Sequence, residues 1–142
     1  MTDDTARSVE IERIGAHVYR ARNPRGGSLI FGSADGPEFS PIELLLAAIG
    51  GCTALDVEYI TGKRAEPTTL AGTVRGDKIR EESGNRMTNL EVTFRVEFPA
   101  GEAGDAARTV LPDALRKSHD RLCTVTRTVE LPSPVTTRLA EG

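Results

Sequence analysis

The chain has 142 residues, a mass of 15.3 kDa and a formal net charge of −3 with a pI near 5.5. That length suits one domain spanning 1–142, and the acidic balance excludes an electrostatic nucleic-acid binder, which would carry a basic surplus or stripe. With no Trp and 4% aromatic residues the core must be aliphatic, and so modest a core favours pairing with a second copy.

The acidic, polar start Met1–Thr5 lacks the basic and apolar parts of a signal peptide. The longest uninterrupted apolar run, Leu44–Ile49, is short against the ~20 residues a bilayer requires. Both features predict a soluble cytoplasmic protein without membrane contact. Thiols stay reduced in that compartment, so Cys52 and Cys123 are expected to be free or redox-cycling. They stand 71 positions apart, which rules out a local CxxC motif, and neither His17 nor His119 has metal-ligand spacing to a cysteine. No metal and no bound cofactor are expected.

In chain order, Val9–Arg22 reads as one extended segment. Its apolar phase moves from odd positions (Val9, Ile11) to even ones (Ile14, Ala16, Val18), which predicts a bulge near Arg13. Asn23–Gly27 reads as a turn, Ser28–Gly32 as a second strand and Ser33–Phe39 as a loop. Ser40-Pro41-Ile42-Glu43 then combines an N-cap serine, a first-turn proline and a glutamate three residues after the cap. The helix behind it, apolar nearly all round, is expected to be buried and to end near Lys63-Arg64. Gly50-Gly51 costs that helix ~1 kcal/mol per residue against alanine, which makes sense if another backbone passes close by.

Thr68–Arg80 reads as a strand and Glu81–Met87 as a hairpin loop. Leu90-Val92-Phe94-Val96-Phe98 alternates cleanly with polar residues as a half-wet strand. Ala106–Arg121 reads as a second helix, with Pro112 either its weak point or part of its first turn. Val125–Leu139 reads as mostly extended. The order predicts an α+β domain, an antiparallel sheet packed on a hydrophobic helix.

Cys52 sits mid-helix, beyond reach of the helix dipole, and its i+4 neighbour Asp56 opposes ionisation. Its activation would need a cation from elsewhere. Arg20 and Arg22 share the apolar phase at the end of the first segment, and Arg25 lies in the turn that follows. Glu43 is fully explained by the capping box. A role in the site would have it orient the activating Arg, although it stands nine residues from Cys52, roughly 13 Å along the axis and half a turn opposed. A long Arg, or a Glu43 from a second subunit, would close that gap. Simple burial explains either cysteine taken alone.

Ser40–Val57 resembles the signature helix of the OsmC/Ohr superfamily in its general OsmC-like branch, and Leu122–Val129 resembles that family's second-cysteine segment. The resemblance spans essentially the whole chain. It implies antiparallel sheets wrapped around a central buried helix in an intertwined homodimer. It also implies a thiol-dependent peroxidase that reduces organic hydroperoxides and, in some members, hydrogen peroxide. Cys52 would attack the peroxide and form a sulfenic acid, Cys123 would resolve it, and Glu43 would pair with the activating Arg. An external thiol or dithiol, of lipoyl type in some members, would reopen the disulfide. The chain departs from the family in two places. Its amino-terminal strand region is short and offers Arg25, then Arg22, as the catalytic Arg; and Thr124 stands where a proline often follows the second cysteine. The branch includes members without demonstrated peroxidase activity. A non-catalytic protein that holds a hydrophobic small molecule in the dimer cleft is therefore the alternative.

Overall fold

The computed structural model describes residues 5–141; the acidic start over Met1–Asp4 lies outside the described residues. The chain forms two compact units, one ending at Leu46 and the other beginning at Ala47.

In the first unit, β1 (Glu10–Gly15), β2 (Val18–Arg22) and β3 (Ser28–Gly32) make an antiparallel sheet in chain order. The predicted single segment is thus a hairpin. Gly15 pairs with Val18, and the reversal is made at Ala16-His17 with His17 at φ 60°. A left-handed His lacks the Gly or Asn signature that marks such turns, so the alternation in the sequence runs on through it. The register shift falls between Arg13 and Gly15, where the phase change placed the bulge. The Asn23–Gly27 turn is built on the Asn23 side chain, whose Oδ1 accepts from the Arg25 and Gly27 N–H groups at 3.0 and 2.9 Å.

Helix α1 (Pro41–Thr61) opens on a complete capping box. The Ser40 N–H donates to Glu43 Oε1 at 2.8 Å, and the Glu43 N–H donates to Ser40 Oγ at 3.2 Å. At 21 residues and mean hydropathy 1.4 over its apolar window, α1 is long and apolar enough to cross a membrane by length and composition alone, despite the shortness of its uninterrupted apolar run. It is not the fully buried helix expected. Ile49, Gly50, Val57 and Thr61 are buried, whereas Leu55 and Tyr59 are 55% and 74% exposed. One chain supplies cover for one face of it only.

In the second unit, β4 (Thr69–Glu81) and β5 (Gly84–Glu97) form a long antiparallel hairpin. Its turn is tighter than the predicted loop: Glu81 pairs with Gly84, leaving Glu82-Ser83 at the tip. A bulge between Arg75 and Asp77 places Asn89 at φ 53°, with its Nδ2 donating to Asp77 Oδ2 at 2.9 Å. Gly50 faces this hairpin so closely that a Cβ there would collide with Val74 Cγ2, but around Gly51 there is open space. The close approach expected of the glycine pair is therefore made by Gly50 alone, to a side chain.

Helix α2 (Glu102–Lys117) starts four residues before the predicted boundary and runs through Pro112. A π-helical turn, Ser118–Leu122, follows it. Cys123 then begins α3 (Thr124–Glu130), where an extended segment was predicted. The strand preference of Val125, Thr126, Thr128 and Val129 is overridden there by tertiary context and by the cap at Cys123. Residues 131–141 form no regular element. The architecture is α+β with antiparallel sheets.

Candidate thiol site

Within the second unit, Cys52 and Asp56 project from one face of α1, one helical turn apart. The turn after α2 brings two more groups to that face. Fully buried Ser118 donates from Oγ to Asp56 Oδ2 at 2.8 Å, and its carbonyl accepts from the Cys123 N–H at 2.8 Å. The Cys123 sulfur, also fully buried, is thereby fixed against α1. The Thr53 hydroxyl lies 3.7 Å from it and donates towards it. Cys52 Sγ, a carboxylate oxygen of Asp56 and Cys123 Sγ all fall within 4.8 Å of one another. Both cysteines are free thiols.

Cys123 caps α3 with its sulfur, accepting from the Thr126 N–H at 3.3 Å, while its S–H faces Thr126 Oγ1 at 3.1 Å. These contacts bear on the ionisation of both thiols. Burial pushes the Cys123 thiol up, but the Thr126 hydroxyl and N–H, with Cys52 and Thr53, together outweigh it and leave Cys123 below the ordinary thiol value. Cys52 is raised, first by burial and then by Cys123 and the Asp56 charge, with the Val125 N–H opposing. The two thiols share one hydrogen-bonded site, so their protons come off as a coupled pair.

An apolar cavity of about 340 Å³ opens against Thr53 and Thr126, with neither sulfur in its lining. Ile49, Leu90, Val92 and Phe94 form its wall, and Thr53 and Thr126, which touch the Cys123 sulfur, form its thiol side. His119 and Glu130 add a polar margin. The His119 Nδ1 lies 2.9 Å from Asp120 and Nε2 lies 3.3 Å from Glu130, and hydrogen bonding to Asp120 followed by the Glu130 charge raises its pKa.

The remaining predicted residues belong to the first unit, and their observed contacts are local. Arg22 does not turn to a dry face. It is 51% exposed and binds Glu12 Oε1 across the strand pair at 2.6 Å, with Arg20 at 3.5 Å from the same oxygen. Arg25 contributes its backbone N–H to the Asn23 turn. Glu43 spends Oε1 on the capping box. Ser118 and Thr126 complete the site, and no local sequence pattern marks Ser118. Thr126 had a signal, because a cysteine followed three residues later by a threonine has the spacing of a cap and its N3 partner.

The sequence profile described as OsmC-like protein matches residues 32–138. No curated protein matches the sequence. Among solved structures, a hypothetical protein from Aquifex aeolicus VF5 is 21% identical, covers 88% of this chain and 87% of its own, and superposes with a TM-score of 0.71. An OsmC-like protein of unknown function from Vibrio cholerae reaches 0.74 at 15% identity, over 89% of this chain and 94% of its own. An organic hydroperoxide resistance protein from Legionella pneumophila reaches 0.57 at 13% identity, over 87% and 90%. At these identities the likeness is one of fold, and together with the profile match over most of its length it shows that the chain belongs to the OsmC-like protein family.

Proposed function

We propose that the protein is a thiol-dependent peroxidase that reduces organic hydroperoxides. The observation that carries this reading is the meeting of two free thiols, 71 positions apart in sequence, near an apolar cavity that Thr53 and Thr126 line. Cys52, the more exposed of the two, attacks the peroxide as a thiolate. The O–O bond breaks, the alcohol leaves with a proton, and Cys52 becomes a sulfenic acid. Cys123 condenses with it, releasing water and forming a disulfide that an external thiol or dithiol reduces. No resident cofactor takes part.

Attack through Cys52 requires its proton to be drawn away against burial and the Asp56 charge. Arg25 and Arg22 remain the proposed sources of the cation, with Glu43 its orienting carboxylate. A homodimer is part of the proposal, supported by the uncovered Leu55, Tyr59 and Gly51 on α1. So is a reducing, cytoplasmic setting, in keeping with two free thiols. The test is to expose the reduced protein to tert-butyl hydroperoxide and map modifications by mass spectrometry. A Cys52–Cys123 disulfide is expected, and a Cys52 unmodified by excess peroxide would end the assignment.

The apolar wall of Leu90, Val92 and Phe94 favours a second reading, a non-catalytic carrier of a hydrophobic small molecule. A co-purified ligand in native mass spectra, together with inert thiols, would select it.

A further inference from the structure

We propose that Cys52, Asp56 and Cys123 form a binding site for one soft divalent cation of the zinc class, held by both sulfurs and one carboxylate oxygen.

Spacing in sequence hides this site, since the two cysteines come from opposite ends of the second unit and the third donor is an acid. The fold gathers all three donor atoms within 4.8 Å of one another. In tetrahedral coordination, metal–sulfur bonds of ~2.3 Å and metal–oxygen bonds of ~2.0–2.2 Å place such donors roughly 3.5–3.8 Å apart. The observed cluster therefore needs a contraction of about 1 Å, within reach of side-chain rotation. Two thiolates and a carboxylate suit zinc or cadmium in preference to hard cations such as magnesium or calcium. The ligands also have the supporting contacts a metal site requires. Ser118 holds Oδ2 of Asp56 and so fixes the carboxylate, while Thr126 and Thr53 aim donors at the Cys123 sulfur. Cys52 is only half-buried, which leaves a route for the ion and a fourth position for water.

Charge supports the same assignment. Two thiolates and a carboxylate gathered within 4.8 Å repel one another, so a bare pair does not readily lose both protons. A divalent cation inverts that logic and turns three mutually repelling anions into partners. Binding expels one proton from each thiol. The two thiolates, the carboxylate and the dication then leave the site with one net negative charge. None of this depends on peroxide chemistry, and the ion would compete with peroxide for the same sulfurs.

The experiment titrates the reduced protein with cadmium, in the absence of peroxide, and follows the ultraviolet cadmium–thiolate charge-transfer band, with native mass spectrometry to count ions. One ion per chain is expected, with the band reduced in Cys52→Ser and in Cys123→Ser. Asp56→Asn should retain the band and weaken affinity at least about tenfold, on the scale of losing a supporting group. Unaltered amide spectra of the variants would show that they fold. No charge-transfer band in the wild type, or an Asp56→Asn affinity equal to wild type, would overturn the three-ligand site. Since no peroxide is present, its failure and the failure of the peroxidase reading are separate results.

Discussion

Thr126 holds the sulfur of Cys123 twice, through its backbone N–H at 3.3 Å and its hydroxyl at 3.1 Å. This double contact, more than any nearby cation, places Cys123 below the ordinary thiol range against the pull of burial. Thr126→Val keeps the shape and the N–H but removes the hydroxyl. A hydrogen bond to a charged group is worth ~1.5–3 kcal/mol, so the Cys123 pKa should rise by about one unit or more. Thiolate absorbance followed against pH checks this, and an onset at the wild-type pH would remove Thr126 from the account.

The sign of the linkage follows. Because the folded Cys123 pKa lies below the unfolded one, its contribution to stability is present above the ordinary value of 9.0 and fades as pH falls through the folded value. Cys52 is raised and acts in the opposite sense, with its contribution present below 9.0 and lost as pH rises through its folded value. Stability measured in Cys52→Ser should therefore respond more favourably to rising alkalinity than in Cys123→Ser. Denaturant midpoints across pH 7–10 give the comparison.

The His119 pKa is raised first by hydrogen bonding to Asp120 and then by the Glu130 charge. Asp120→Asn should bring it down towards the ordinary 6.5, as read from imidazole proton shifts. The stabilisation from protonated His119 is full below 6.5 and lost as pH rises through the folded value. With a side chain 60% exposed, its effect on global stability should be small.

Two adjacent glycines should give opposite results. A methyl group at Gly50 meets Val74, so Gly50→Ala should cost about 1–3 kcal/mol by overpacking. At Gly51 the space is open, and Gly51→Ala should stabilise by up to ~1 kcal/mol through helix propensity. Urea unfolding separates the two. A destabilised Gly51→Ala would mean that a surface outside this chain covers that position.

Cys123 is also the N-cap of α3. Cys123→Ala removes the acceptor for the Thr126 N–H and should cost the helix about 1 kcal/mol, whereas Cys123→Ser restores a cap. Hydrogen exchange over 124–130 should quicken in the alanine variant and stay closer to wild type in the serine variant.

Legibility in the sequence followed local redundancy. Helix α1 announced its start because Ser40, Pro41 and Glu43 all say the same thing, and β5 announced itself through five alternating apolar residues. The first hairpin did not, because His17 takes a left-handed turn without a glycine. Helix α3 was hidden by β-branched residues and by a sulfur acting as cap, a role usually taken by oxygen. At the site, residue type singled out the two cysteines, and Asp56 was visible as a helical neighbour. That all three converge, with Ser118 beneath Asp56, depends on the turn after α2 and on contacts across 62 positions or more. No local pattern encodes those.

The sulfur cap has a mechanical consequence. Thr126, Val129 and Glu130, which line the apolar cavity, all belong to the short helix that begins at Cys123. In the proposed cycle, drawing the Cys123 sulfur into a bond with Cys52 would compete with its contact to the Thr126 N–H at the first turn of that wall. The proposed disulfide would therefore be felt at the wall of the neighbouring chamber, through the one sulfur that both would use.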